Sequence, residues 1–236
     1  MIPATDTPVE THAGAQHFCR TVRAVDGVGP DPRVFVAGCG KGHEALFIRK
    51  ELGGSLAGVD IGKEWDPDLG SDIDGFELTA ASVLDLPFNA NSFDIVFYHH
   101  VIEHVSDPAQ SLRELARVLR PGGVIYIGTP NRHRAVGYVG SYGATAMQKL
   151  QWNLTDYRAR LSNRFRNELG AHAGFAENEL CGLVAEEFVD VRVLTGDYLR
   201  FKYGKRLSER TLRTVTARPV REFAAPSVYV IARKAR

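Results

Sequence analysis

No stretch of the 236 residues approaches the roughly 18 consecutive apolar positions that a membrane-spanning helix needs. The start lacks the basic-then-apolar order of a secretion signal, so residues 1–10, polar and proline-containing, read as a flexible leader. Cysteine is scarce: Cys19, Cys39 and Cys181 are odd in number and far apart. That argues against a disulfide framework or a zinc site and favours a reducing, cytoplasmic setting. Repeats and low-complexity tracts are also missing, and 44% of the residues are apolar, so extended disorder is not expected. The length suits one α/β domain over residues 11–236, with a sizeable core.

A net charge of +1 conceals an asymmetry. Residues 1–130 carry 10 Lys and Arg against 18 Asp and Glu, whereas residues 131–236 carry 19 against 10. The first part suits a cationic cofactor; the second suits an anionic small-molecule substrate or self-association as a homodimer.

The pattern predicts a helix over 11–25, a strand RVFVA at 33–37, a helix over 43–52 and a strand SLAGVD at 55–60. Further strands follow at 76–82 and 93–98. Asp107-Pro108 opens a helix, since Asp caps free N–H groups and Pro fits the first helical position. Leu112, Leu115, Ala116 and Leu119 give it an apolar stripe. Pro121-Gly122-Gly123 is expected to end it before a strand over 124–129. Residues 131–171 break the rhythm as an insertion rich in Arg and aromatics. A helix over 175–187 and strands over 188–194 and 227–233 complete a seven-stranded, mostly parallel sheet with helices on both faces.

Gly38-Cys39-Gly40-Lys41-Gly42 after the first strand lets the backbone bend sharply and approach a ligand. A dinucleotide fingerprint would place its third glycine at position 43, which is His43. Cys39, between glycines, reads as a packing residue. His99-His100-x-x-Glu103-His104 concentrates titratable groups after the fourth strand, with 100, 103 and 104 on one face if the segment is helical. Three uses are open: packing of the loop, a general base at His100 or His104, or a metal held by His100, Glu103 and His104.

The segments VFVAGCGKG (34–42), GVD (58–60), LDLPFNANSFDIVFYHHVIEHV (84–105) and LRELARVLRPGGVIYIGTPNR (112–132) stand in order. In that combination the chain resembles the class I, Rossmann-like S-adenosylmethionine-dependent methyltransferases, in the branch with ubiquinone-biosynthesis-like methyltransferase domains. The resemblance covers about residues 30–132. It implies that Gly38, Gly40 and Gly42 pass under the methionine and ribose of S-adenosylmethionine, and that Asp60 accepts both ribose hydroxyls. It implies cofactor contacts also from Ile61, from Ser82 and Val83 near the adenine, and from Tyr98 and His99 at the end of the fourth strand. The family's acid two residues before the first glycine is Val36 here, so the methionine end must be held differently. Family members carry a substrate lid after the fifth strand; here that points to Arg132, Trp152, Tyr157 and His172 as substrate contacts. Tyr138, Tyr142, Phe165 and the neighbouring arginines are further lining, suited to clamping a carboxylate or phosphate.

The function implied is methyl transfer from S-adenosylmethionine, leaving S-adenosylhomocysteine, to an oxygen or nitrogen of a small-molecule metabolite. The alternatives are an RNA or nucleotide methyltransferase and a non-catalytic cofactor-binding partner subunit. Nucleic acid is disfavoured because Tyr98-His99-His100 stands where a base-flipping motif would be, and because the basic half has few stacking aromatics.

Overall fold

A computed structural model describes residues 13–62, 64–138, 144–167 and 172–236. The expected leader and Tyr142 lie outside the described residues. Seven strands form one sheet in the order β3-β2-β1-β4-β5-β7-β6. They are β1 (Arg33–Ala37), β2 (Ser55–Asp60), β3 (Phe76–Ala80), β4 (Phe93–His99), β5 (Leu119–Pro130), β6 (Val189–Val193) and β7 (Ser227–Arg233). Neighbours from β3 to β5 pair in parallel, and β7 runs antiparallel to both β5 and β6. The helices are α1 (Ala13–Arg23), α2 (His43–Leu52), α3 (Pro108–Val118), α4 (Ala146–Leu161), α5 (Glu177–Ala185), α6 (Thr195–Tyr203), α7 (Glu209–Thr216) and α8 (Arg218–Ala224).

Strand alternation divides the core into two clusters. Phe35, Ala37, Val96, Tyr98, Ile125, Ile127, Val228 and Val230 pack with Leu112 and Leu115 of α3 and Leu180 and Val184 of α5. Their neighbours in sequence, Val34, Val36, Ile95, Phe97, Tyr126 and Tyr229, pack instead with α1 and α2. The near-continuous apolar strands read from the sequence therefore serve two faces at once, as a parallel sheet between helix layers requires. On α1, Ala15, Phe18, Cys19 and Val22 form the buried stripe.

The α3 cap forms as expected, with the Asp107 carboxylate accepting from the Gln110 N–H at 2.9 Å. Pro121-Gly122-Gly123, however, does not separate helix from strand: β5 starts at Leu119 and runs through all three residues. The N–H of Gly122 donates to the carbonyl of Lys234, and the N–H of Lys234 donates to the carbonyl of Gly123. Gly122 has φ of 74°, so glycine lets the strand kink without losing its partner. The LPF motif also has a structural explanation. Arg117 on α3 donates to the carbonyls of Leu86 and Phe88, and Glu114 accepts from the Leu86 N–H, which ties that loop to the helix.

Several boundaries move. β3 ends two residues before 82, and α5 and β6 are shorter at both ends than expected. In the basic C-terminal half, Glu partners take up several arginines: Arg221 meets Glu177, Arg200 and Arg213 share Glu209, and Arg218 meets Glu222. No helix among the described residues is long and apolar enough to cross a membrane.

One buried polar group couples this fold to pH. His17 on α1 is 3% exposed and hydrogen-bonds Tyr126 Oη through Nδ1 at 2.8 Å. Burial, helped by the nearby Arg20, pushes its pKa from 6.5 down to about 4. Between those values the unfolded chain binds more protons than the folded one, so stability rises with pH across that window. A shift of this size corresponds to about 3 kcal/mol. His17→Gln should flatten part of the fall in urea midpoint between pH 6.5 and 4; an unchanged slope would remove His17 as a cause.

Candidate active site at the carboxyl ends of the strands

The sheet order reverses between β1 and β4, and parallel sheets bind ligands outside the carboxyl ends of the strands at such a point. The glycine turn leaves β1 there. Its first two amides, of Gly38 and Cys39, both donate to the carbonyl of Val59 at 2.8 Å. The three glycines have left-handed φ of 77°, 50° and 79°, and each meets different surroundings. A Cβ on Gly38 would strike Val101, and one on Gly42 would strike Leu69 and Leu78. On Gly40 it would meet nothing within 4 Å. Gly40 thus presents its backbone to open space, which fits the close passage of a ligand.

Asp60 ends β2 beside this cradle. Its Oδ2 accepts the Gly40 N–H at 2.8 Å and its Oδ1 accepts the Gly62 N–H at 3.2 Å. A carboxylate offers about four acceptor positions, so it can hold the turn and still accept ligand hydroxyls. Ile61, next in sequence, is 84% exposed, an apolar side chain held in the open beside the carboxylate. Val83 is buried, and the Ser82 hydroxyl accepts the Leu84 N–H in a local turn. Cys39 is buried, with its thiol pKa raised to about 12 by burial and by Asp60, which suits packing and not reactivity.

Tyr98 departs from expectation. It is fully buried in the α3-facing core and its hydroxyl donates to Ser111, so it offers the cleft nothing. Alternation along β4 is the reason: the side that holds Val96 and Tyr98 faces α3, and His99 falls on the opposite side. The His99 ring packs on Phe97 and Tyr229, and its Nδ1 sits 3.5 Å from Glu44 Oε2 on α2.

His100 turns the chain with φ of 54°, a left-handed conformation that a non-glycine residue adopts at a cost and that clusters at functional sites. The following residues form a short 3-10 turn, Ile102–His104, and not the α-helix considered above. His100, Glu103 and His104 still converge. His100 Nδ1 lies 3.3 Å from Glu103 Oε1, and Thr129 Oγ1 donates to Glu103 Oε2 at 3.0 Å. Glu103 is almost fully buried. Burial opposes its charge, but the His100 hydrogen bond and the nearby His100 and His104 rings prevail and hold its carboxyl below the usual value. Desolvation, then His99, lowers the His100 pKa from 6.5, although the side chain itself is 41% exposed. With Glu103 ionised, Nδ1 must carry the shared proton, and Nε2 keeps a lone pair.

His172 arrives from far along the chain and meets His104 edge-to-face, centroids 4.7 Å apart. Glu103 Oε1 faces His100 and Oε2 accepts from Thr129, and among the described residues no group of three or more His, Cys, Asp or Glu is placed to hold a metal ion.

Two arginines of the insertion are structural and not open clamps. Arg132 donates to the carbonyl of Gly174 and pairs with Glu179, with its side chain 34% exposed. Arg134 is 4% exposed, pairs with Asp156 at 2.7 Å and donates to the carbonyls of Asn131, Ala173 and His172. Sequence reasoning passed over Arg134 as a single residue, although it fixes the backbone of His172 and anchors α4. Of the other expected contacts, Trp152 packs on Tyr138 and the Tyr157 hydroxyl donates to the carbonyl of Ala135; both are partly exposed on α4. A separate cleft of about 410 Å³, lined by Val25, Asp26, Val124, Asp190 and Arg192, lies at the other end of the sheet, away from the glycine turn and the His100–Glu103–His104 group.

Comparison with known proteins bears on the family and the fold. Residues 35–127 match the family described as "Methyltransferase domain". A Mycolicibacterium smegmatis protein assigned as an S-adenosylmethionine-dependent methyltransferase is 35% identical over 99 residues, 42% of this chain and 38% of that protein. The chain thus spans well under half the length of that relative. A ubiquinone biosynthesis O-methyltransferase of Pseudomonas aeruginosa is 30% identical over 165 residues, covering 64% of this chain and 67% of that enzyme. In fold, a Galdieria sulphuraria protein assigned as a sarcosine dimethylglycine methyltransferase superposes with a TM-score of 0.59 at 17% identity, covering 94% of this chain and 86% of that one.

Thr129 is fully buried, and the Glu103 carboxylate depends on its hydroxyl. Thr129→Val should therefore lower unfolding stability by about 1–3 kcal/mol, read from urea midpoints at neutral pH. An unchanged midpoint would show that Glu103 is held without it.

Proposed function

The chain belongs to the S-adenosylmethionine-dependent methyltransferases, and we propose that it transfers a methyl group to an oxygen or nitrogen of a small-molecule metabolite, with His100 as general base. The observation that carries this reading is the Thr129–Glu103–His100 chain, which orients a neutral imidazole and leaves its Nε2 able to take a proton. When bound, S-adenosylmethionine supplies an electrophilic methyl on a sulfonium.

The residues fit that cofactor. Gly40 provides the open cradle, Asp60 a carboxylate for the ribose hydroxyls, and exposed Ile61 an apolar surface beside them. Ser82 and Val83 border the adenine end, and His99 stands at the end of β4 beside His100. Most of the rate enhancement in such a displacement comes from bringing nucleophile and methyl together, worth up to about 7–11 kcal/mol. His100 Nε2 adds removal of the acceptor's proton. His104 and His172, paired edge-to-face, form a wall beside it that suits an acceptor of modest size. Trp152 and Tyr157 on α4 stand further out as substrate contacts.

An oxygen or nitrogen acceptor fits because each needs a proton removed, whereas a carbanion-like acceptor would need a different device. The ubiquinone O-methyltransferase relative makes a hydroxyl the first acceptor class to test.

His100→Ala should lower kcat about 10²–10⁴-fold, the usual value of a positioned base, and leave S-adenosylhomocysteine affinity unchanged. In the wild type, kcat/KM should fall as pH drops through a value below the ordinary 6.5 of histidine, because only the neutral ring accepts a proton. Unchanged turnover in His100→Ala, or equal losses of turnover and cofactor affinity, would contradict the base assignment.

A further inference from the structure

We infer that α4 is the interface for a second copy of this chain, its exposed apolar row packing antiparallel against the same row of the other copy.

A surface helix ordinarily turns its apolar side to the core. α4 does the reverse. A capping box fixes its start: the Thr145 hydroxyl accepts the Gln148 N–H, and the Gln148 side chain accepts the Thr145 N–H. From there the polar side faces the body. Asp156 pairs with Arg134 and accepts from the Tyr138 hydroxyl. Asn153 exchanges two hydrogen bonds with the backbone of Gly137, and Arg160 donates to the carbonyl of Arg134. Lys149, Asn153, Asp156 and Arg160, all half-buried, mark this docked side. No residue of α4 is buried.

The large apolar residues recur at Met147, Leu150, Leu154, Tyr157 and Leu161, in the alternating steps of three and four that make a heptad seam. All five are between 45 and 91% exposed, so among the described residues nothing covers them. At 3.6 residues per turn they fall within about 80° of arc, centred about 110° from the docked side. Tyr157 is at the edge nearest the body, where its hydroxyl reaches the carbonyl of Ala135. Trp152 falls on the other side of the helix, against Tyr138. A row this narrow is the seam of a helix pair, whereas a helix lying on a lipid surface spreads its apolar residues over a whole face.

A second copy fits the seam and its flanks. Antiparallel pairing sets the two helix dipoles head to tail and closes on itself as a two-fold dimer. Leu150 then falls opposite Leu161 of the second copy, and Leu154 opposite Tyr157 of the second copy, so each of these layers is apolar. On the flanks, Gln151 falls opposite Arg158 of the second copy and Asn153 opposite Arg160 of the second copy, so no like charges meet. A stable dimer takes about 800 Å² from each copy, and the body adds apolar surface beside the row. Ala135, which accepts from Tyr157, donates its N–H to the carbonyl of Phe223, and both Val136 and Phe223 are more than half exposed.

Sedimentation of the full chain over about 1–100 μM, where moderate self-association is read, tests this. Wild-type protein should pass from monomer to dimer. Leu154→Asp, at the centre of the seam, should weaken the dimer about a hundredfold or more, because each dimer would bury two unpaired charges. Thr155→Asp, on the solvent side of the same helix, should leave it unchanged. A chain that stays monomeric, or a dimer that survives Leu154→Asp, overturns the inference. So does a monomer that binds phosphatidylglycerol vesicles through Leu154, which would make the row a membrane contact. Where Leu154→Asp does not fold, the double variant Leu150→Cys, Leu161→Cys should form a covalent dimer on oxidation, above the wild-type background, and Leu150→Cys alone should not. No covalent dimer from the double variant, or an equal yield from Leu150→Cys alone, would overturn the antiparallel pair.

Discussion

The site depends on one short hydrogen bond, from the Gly40 N–H to the carboxylate of Asp60. The glycine turn must leave β1 in a left-handed conformation to expose its backbone, and such a turn has few contacts of its own to fix it. Two anchors hold it: the carbonyl of Val59 accepts the Gly38 and Cys39 amides, and Asp60, the next residue of β2, accepts Gly40. The turn is thus positioned by its neighbouring strand. That coupling makes the absence of an acid at Val36 tolerable, because part of the ordering such an acid would supply comes from β2. It also explains why a β1 that is apolar and buried from Val34 to Ala37 can lie between two helix layers and still end in a ligand cradle.

On the other side of the strand ends, the same division of labour recurs with different chemistry. Glu103 is a buried charge, which is costly unless paired and hydrogen-bonded. Thr129 from β5 and His100 from the loop after β4 meet that need, and the arrangement fixes which imidazole nitrogen is free. Arg134, buried and satisfied by four partners, then brings the backbone of His172 against this group from more than 30 residues further along the chain. A strained His100, a buried carboxylate and a buried arginine are each unfavourable alone. Their convergence on one point is what marks a site and not a generic loop.

Much of this was legible in the sequence. The strands RVFVA, SLAGVD and SVYVIAR were recognisable because short β-branched runs bounded by breakers have few other structural uses. Gly40, Asp60 and the His100–Glu103–His104 group were legible because the residue types and spacing implied a job. What failed did so for identifiable reasons. Tyr98 was misplaced because motif proximity says nothing of which strand face a side chain takes, and alternation sends it into the core. Pro121-Gly122-Gly123 read as a break, yet pairing with the strand that ends the sheet carries β5 through it. Arg132 and Arg134 looked like ligand clamps because their partners, Glu179, Asp156 and three carbonyls, lie far away in sequence. Local pattern could not supply those distances, and it gave no reason to link Glu44 with His99.

The most direct measurement is a crystal structure with S-adenosylhomocysteine bound. The ribose hydroxyls should lie within hydrogen-bonding distance of Asp60 and the thioether sulfur above Gly40, with the direction left by the departed methyl pointing toward His100 Nε2. A cofactor seated elsewhere, or a sulfur whose open side faces away from the His100–His104–His172 cluster, would contradict the account.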